Sequence, residues 1–218
     1  MNELENEIVA VIPNYKTPDL IARCVNSFRT YYPNIKLILI DNSKYDISSK
    51  WIYQFAEEDQ NTTCLFNTFN MHHGPSMDTG IKLSPLPLVF IIDSDVVITK
   101  PNLIEDMYKV IATTKDWLAI GWITPINHKG FDVPRNKPHI PYCSPQCMIV
   151  NKEIYLQYPP FIKHGAPCIN TMKHIKIHKL DHQLIHFNWK EYAAHLRGGT
   201  QKRFGLDGNG AQKIPPFI

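Results

Sequence analysis

The sequence has little of what marks several large classes of protein. No apolar run approaches the roughly 18 residues that a membrane-spanning helix needs, and residues 1–7 are polar and acidic, unlike a signal peptide. A net charge of +3 permits an anionic substrate, but it is weaker than the basic surplus typical of nucleic-acid-binding domains. We therefore expect a cytoplasmic protein without a transmembrane segment.

Paired cysteines are also missing. The chain has five cysteines, an odd number, scattered without any C-x-x-C motif: Cys24, Cys64, Cys143, Cys147 and Cys168. This pattern favours free thiols in an intracellular protein over a disulfide framework. We expect Cys143 and Cys147 to be ordinary buried side chains.

Hydrophobic patterning indicates an α/β fold. Short continuous apolar runs, typical of strands buried on both faces, occupy residues 8–13, 36–41 and 88–93. Segments with helical periodicity lie between and after them, so we expect a mostly parallel central sheet flanked by helices. At 218 residues the chain fits one domain, 1–218. The predicted helices begin near Pro18, Ile47, Pro75 and Pro101, with Thr17 as a good cap for the first, and a brief strand is predicted near 63–66.

The pattern changes after about residue 115. Residues 117–123, 146–150 and 192–195 look like strands, and 181–189 like a helix. Prolines cluster between residues 125 and 167, which indicates many loops.

Polar residues follow three of the predicted strands, at 13–15, 41–43 and 93–95. Ligands of open parallel sheets bind outside the carboxyl ends of the strands, so these residues predict one crevice. Asp93 and Asp95 suit a hard cation with oxygen ligands. The alternative is an ordinary acidic turn without a functional role, but a buried strand seldom ends in two carboxylates without a partner.

The sequence resembles the family 2 glycosyltransferases of the GT-A fold from Ile8 to about Phe204. Five segments in the family's order carry this resemblance: VIPNYKTPDL, LILIDNSKYD, NMHHGPSMDTGIK, FIIDSDVVI and AHLRGGT. The resemblance implies an enzyme that transfers a hexose or N-acetylhexosamine from a nucleotide diphosphate sugar, with a UDP-linked donor favoured. It divides the chain into a nucleotide-sugar-binding half, 1–115, an acceptor half, 116–200, and a flexible C-terminal loop and tail, 198–218.

The resemblance also implies roles for single residues. Asp95, His195 and Asp93 would hold Mn²⁺ or Mg²⁺, with Asp95 as the direct ligand and Asp93 near the ribose. The positions matched to the donor are Pro13, Tyr15, Asp41, Asn70, Gly74, Asp78, Asp93, Arg197, Lys202 and Arg203. The basic residues Arg197, Lys202 and Arg203 would belong to a glycine-rich loop able to close over the diphosphate.

An inverting transfer needs a base for the acceptor hydroxyl. The family usually places its catalytic carboxylate before the helix that leads to the final strand, which makes Asp181 the candidate. Lys179 and Leu180 replace the acidic residue that often precedes it. The alternative is that Asp181 only caps a helix.

Several other signals stay open. His174, His178, His182 and His186 recur every four residues and could form a zinc site or a polar face beside the acceptor. His72 and His73 could touch the donor or merely start a helix. Trp117, Trp122 and Trp189 could stack on a sugar or belong to the core.

Two other functions compete with glycosyl transfer. A sugar-1-phosphate nucleotidyltransferase usually has a glycine-rich loop after its first strand, whereas this chain has Pro13-Asn14-Tyr15-Lys16. A non-catalytic nucleotide-sugar-binding module is the second. The sequence does not identify the acceptor, which could be a glycan, a protein, a lipid-linked sugar or a modified nucleic acid.

Overall fold

The computed structural model describes residues 3–162, 165–196 and 203–204. Its strands are β1 Ile8–Asn14, β2 Lys36–Asp41, β3 Thr62–Phe66, β4 Leu88–Ile92, β5 Val96–Ile98, β6 Ala119–Ile126, β7 Ile140–Asn151, β8 Leu184–His186 and β9 Ala193–His195. The helices are α1 Pro18–Tyr31, α2 Ile47–Glu58, α3 His73–Leu83, α4 Leu103–Ala112, α5 Lys152–Tyr155 and α6 Ile169–Ile177. Short 3₁₀ turns cover Glu3–Asn6, Asp181–Gln183 and Trp189–Glu191.

Seven strands form one sheet in the order β3-β2-β1-β4-β7-β6-β8. The first four are parallel, β7 is antiparallel to both β4 and β6, and β8 is parallel to β6. Strands β5 and β9 pair separately in a two-stranded sheet. The prediction of a mostly parallel sheet flanked by helices is confirmed.

The parallel strands are apolar throughout because both of their faces are covered. On β1, Ile8 and Ile12 pack in one hydrophobic layer, whereas Val9 and Val11 pack in the other. The first layer takes residues from α1, α2 and α4, and the second from α3 and α6. Covered faces fix the register of β1, so its carboxyl end lies at a defined edge of the sheet.

The prediction of a helix over 181–189 is wrong. Only 181–183 form a 3₁₀ turn, and β8 follows at once. Leu184 pairs with Ala119 of β6, and Leu184 is buried. Pairing with the edge of the sheet thus overrides local helical spacing, an effect that one sequence window does not reveal.

Two smaller expectations are also corrected. Thr17 precedes α1 but makes no side-chain cap, because its hydroxyl donates to Asn14 Oδ1 at 2.8 Å. Helix α4 begins at Leu103, two residues after Pro101, behind the left-handed Asn102.

All five cysteines are free thiols, as predicted. Cys24, Cys143, Cys147 and Cys168 are buried, and burial raises the pKa of each thiol. They therefore stay protonated at neutral pH and behave as small apolar side chains.

Across the described residues, none of the helices combines the length and the apolar character that a bilayer crossing requires.

Candidate active site

A cavity of about 890 Å³ opens at the carboxyl ends of β1 and β4. Both strands contribute to its lining, through Pro13 and Asn14 of β1 and through Asp93, which follows β4 directly. The predicted crevice at the strand ends is therefore present. Lining residues from beyond position 115 include Trp122, Thr124, Ile126, Asp132, Tyr142, Ser144, Gln146, Trp189, Lys190 and His195.

Asp93, Asp95 and His195 meet at this cavity, although His195 lies about a hundred residues away in the sequence. One ligand atom from each side chain lies within 4.8 Å of the others, and His195 Nε2 is 3.0 Å from Asp95 Oδ1. All three side chains are partly buried. Two carboxylates and one imidazole suit Mn²⁺ or Mg²⁺, with positions left for other oxygen ligands.

Backbone pairing places these three side chains together. Val96 of β5 pairs with His195 of β9, and the Leu196 N–H donates to the Asp95 carbonyl at 2.8 Å. The turn at 93–96 is closed by a bond from the Val96 N–H to the Asp93 carbonyl. The small sheet β5-β9 therefore delivers the late histidine to the early aspartates.

Gln146 of β7 contacts both parts of this cluster. Its backbone carbonyl accepts from the Asp93 N–H at 3.0 Å. Its side-chain amide lies 3.4 Å from His195 Nδ1, the ring nitrogen that faces away from Asp95. A partner on the second nitrogen of a metal-binding histidine fixes the ring and its tautomer.

His73, which the sequence left open, belongs to the site. Its Nε2 lies 3.0 Å from Asp93 Oδ1. Burial alone would lower the pKa of His73, but the charge and hydrogen bond of Asp93, with the charge of Asp95, outweigh it and raise that pKa. The cluster therefore attracts positive charge, as a cation site should.

Asp41 lies at the end of β2, and its role toward a donor stays a prediction. It is 1% exposed and does not line the cavity. Its carboxylate accepts from Asn14 at 2.9 Å, from Ser43 at 2.5 Å and from the Ser49 hydroxyl. These bonds join the ends of β1 and β2 to α2, so Asp41 holds the loops that carry the cavity residues.

The other positions matched to the donor divide into two groups. Pro13, Tyr15 and Asn70 line the cavity. Asp78 does not, because it bonds to the Tyr155 hydroxyl and to Lys82, each at 2.8 Å. The roles of all four toward a donor stay predictions.

Gly74 does not line the cavity either, but the structure explains why it is glycine. A Cβ at this position would lie 2.4–2.6 Å from backbone atoms of Ile162. The first turn of α3, which carries His73, can therefore approach that segment only without a side chain.

The predicted cationic loop is described only at residues 203–204. Arg203 makes a bidentate pair with Asp19 at 2.6 and 2.7 Å, and this hydrogen bonding lowers the pKa of Asp19. Phe204 contacts the Tyr15 ring edge-on at 5.4 Å. Arg197 and Lys202 lie outside the described residues, so their roles stay predictions.

Asp181 lies outside the cavity lining. Its side chain is 47% exposed, and its nearest cation is Lys176, at 3.6 Å. This position does not distinguish a catalytic base from a residue that only belongs to the 3₁₀ turn, so the assignment of Asp181 as the base stays a prediction.

The four histidines do not share one helical face. His174 is in α6, and its ring centre lies 4.2 Å from that of His178 with the rings tilted, whereas His186 is in β8 and packs against Trp122. In the described part of the chain, the only cluster of at least three side chains with metal-ligating geometry is Asp93, Asp95 and His195. The zinc alternative therefore has no support here.

Two of the three tryptophans border the cavity. Trp117 belongs to the core, Trp189 is fully buried but contributes to the lining, and Trp122 is half-buried with Lys190 Nζ 3.5 Å from its ring centre. Sequence reasoning missed Gln146, Asp132 and Lys190. Period-two alternation on β7, with Tyr142, Ser144 and Gln146 on one face, was the signal available for Gln146.

Comparisons with known proteins identify the family and the fold. The sequence matches the Glycosyl transferase family 2 over residues 9–196, and no match was found among curated proteins. One similar solved structure is the mannosyltransferase PcManGT from Pyrobaculum calidifontis, in complex with GDP-Man and Mn²⁺. It is 13% identical to this chain with a TM-score of 0.63, and the aligned region covers 83% of this chain and 54% of PcManGT. TarS from S. aureus is 15% identical with a TM-score of 0.60, and the aligned region covers 91% of this chain and 38% of TarS.

A third solved structure is GalNAc-T7 with UDP, GalNAc and Mn²⁺. It is 10% identical with a TM-score of 0.57, and the aligned region covers 71% of this chain and 36% of GalNAc-T7. This chain spans about half or less of the length of all three proteins. At such identities the likeness establishes the fold, which is GT-A. The sequence match covers most of the chain, and the protein therefore belongs to glycosyl transferase family 2.

Proposed function

We propose that this chain transfers a hexose or N-acetylhexosamine from a nucleotide diphosphate sugar, with UDP-linked donors favoured, to an acceptor with inversion. The observation that carries the proposal is the cluster of Asp93, Asp95 and His195 at the strand-end cavity. Two structural neighbours solved with Mn²⁺ and a nucleotide or nucleotide sugar support it.

The donor half would bind and orient the nucleotide. Pro13, Tyr15 and Asn70 border the cavity and are proposed to contact the base and ribose side of the donor. Asp41 supports that wall from behind through its bonds to Asn14 and Ser43. Asp93 and Asp95 would fix the diphosphate end through a shared cation.

The cluster fits Mn²⁺ or Mg²⁺, with Asp95, His195 and Asp93 as its holders. Such a cation neutralises the negative charge that develops on the leaving diphosphate. Arg197, Lys202 and Arg203 are proposed to add positive charge from the C-terminal loop.

A sugar-1-phosphate nucleotidyltransferase fits less well. That class uses a glycine-rich loop after the first strand, whereas Asn14 here is buried and bonds to Asp41 and Thr17. A non-catalytic binding module stays the second alternative, and turnover decides between them. The cytoplasmic location stays a prediction.

The proposal is tested by release of nucleoside diphosphate. The protein is incubated with UDP-glucose, UDP-galactose, UDP-N-acetylglucosamine and GDP-mannose, each with Mn²⁺, Mg²⁺ or EDTA, and with a panel of methyl glycosides. We expect release from at least one donor that EDTA abolishes. Binding of UDP with Mn²⁺ but no release from any donor would leave only the binding module.

A further inference from the structure

Three aspartates line the cavity within the described part of the chain: Asp93, Asp95 and Asp132. The first two face His73 and His195 in the cation cluster. Asp132 follows β6 in the acceptor half. Among the described residues, none hydrogen-bonds or ion-pairs with its carboxylate, which can therefore accept a proton from a bound hydroxyl.

The backbone around Asp132 is held firmly. Asp132 forms a bridge with Ile126, and the hairpin closes through Asn127 N–H to the Phe131 carbonyl at 2.8 Å and Val133 N–H to the Pro125 carbonyl at 3.0 Å. The Asn127 side chain also accepts from the Lys129 and Phe131 N–H groups. These bonds fix the backbone from which the exposed Asp132 side chain extends at the cavity, and a defined position of the reacting groups favours catalysis.

The hairpin is docked on another wall of the same cavity. Gly130 adopts a φ of +96°, and a Cβ there would lie 2.5 Å from the Ala166 Cβ. Residues 165–167 line the cavity immediately before α6. This contact places Asp132 beside the segment that leads into α6, where no other described residue brings a carboxylate to the cavity.

We propose that Asp132 is the general base of the transfer, an inference that rests on the proposed inverting glycosyl transfer. The acceptor hydroxyl passes its proton to an Asp132 carboxylate oxygen while its oxygen forms the bond to the anomeric carbon. The bond from that carbon to the diphosphate breaks, and the nucleoside diphosphate leaves with the electron pair. Asp181 is exposed, as Asp132 is, but it does not line the cavity.

The test compares Asp132→Asn with Asp181→Asn, using the donor and methyl glycoside that the wild-type protein turns over fastest. Asp116→Asn, at an exposed position away from the cavity, is the matched control. We expect Asp132→Asn to lower kcat about 10²- to 10⁴-fold, the usual range for loss of a general base. Binding of UDP with Mn²⁺, measured by calorimetry, should change less than twofold, and Asp116→Asn should match wild type.

The pH profile separates a base from a structural residue. The wild-type rate should fall at acid pH as the base is protonated, and the residual rate of Asp132→Asn should lack that fall. Asp132→Glu should recover part of the lost rate. If Asp132 were only structural, Asp132→Asn would lower the melting temperature, and its rate would still decrease at acid pH.

Two results would overturn the proposal. One is transfer by Asp132→Asn within tenfold of wild type. The other is loss of transfer and of the acid fall in Asp181→Asn while Asp132→Asn stays active, which would make Asp181 the base. Failure of wild type to turn over any donor would overturn the proposed function itself, and the base role with it.

Discussion

The two halves of this chain contribute to one cavity by different means. Residues 1–115 form a parallel block whose strands are buried on both faces, and its cavity residues follow strand ends. The described residues after 115 include the long antiparallel pair β6-β7, and alternate residues of β6 line the cavity together with a segment of β7. The first arrangement sets cavity residues at strand ends, and the second presents them along the strands themselves.

Charge separates the halves as well. Residues 1–115 contain fourteen acidic and ten basic residues, whereas residues 116–200 contain five acidic and ten basic ones. The acidic segment supplies Asp93 and Asp95 of the cation cluster, whereas the basic segment supplies His195 of that cluster and Lys190 at the cavity.

The largest expected effect is in the donor half. Asp95→Ala removes a carboxylate of the cation cluster, so we expect kcat to fall about 10³-fold or more and Mn²⁺-dependent UDP binding to disappear. Calorimetry with UDP and Mn²⁺ measures the binding, and Asp116→Asn is the control. Unchanged Mn²⁺ dependence would place the cation elsewhere.

Gln146 tests whether the acceptor half also supports the cluster. Gln146→Ala removes the side chain beside His195 Nδ1, and we expect Mn²⁺ affinity to fall about 10- to 100-fold, as for other partners of metal-binding histidines. Titration of Mn²⁺ by electron paramagnetic resonance gives the affinity. Thr124→Ala, another cavity residue, should keep it, and equal loss in both variants would contradict the role.

Alanine substitutions at two glycines test how tightly their neighbours pack. We expect Gly74→Ala to lower the free energy of unfolding by about 1–3 kcal/mol, because its Cβ would meet the rigid Ile162 backbone. Gly130→Ala should cost about 1–2 kcal/mol, through its positive φ and the Ala166 contact. Urea denaturation measures both, and a neutral Gly74→Ala would show that the α3 segment can shift.

The smallest effect is expected at the acceptor side. Lys190→Met removes the cation above Trp122, a contact of about 0.5–1 kcal/mol when exposed. We expect the KM for the acceptor to rise about two- to fivefold, without change in the KM for the donor. Initial rates at varied acceptor concentration measure this, with exposed Lys137→Met as the control. A change confined to the donor KM would place Lys190 on the donor side.

The sequence predicted the parallel half well because burial on both faces leaves a continuous apolar run, and polar residues then mark each strand end. It also identified Asp93 and Asp95 from that position. It failed at 181–189, where pairing of Leu184 with Ala119 decides the conformation. Helical spacing within the segment carried no information about that partner.

The sequence by itself determined the α/β class, the family resemblance and the pair of aspartates after β4, because these depend on local periodicity and order along the chain. Only the tertiary structure brought His195 to Asp95 through β5-β9, buried Asp41 among Asn14, Ser43 and Ser49, and placed Asp132, but not Asp181, at the cavity. Each of those outcomes depends on contacts between residues distant in sequence. Such contacts arise from strand pairing and packing, which no single segment encodes.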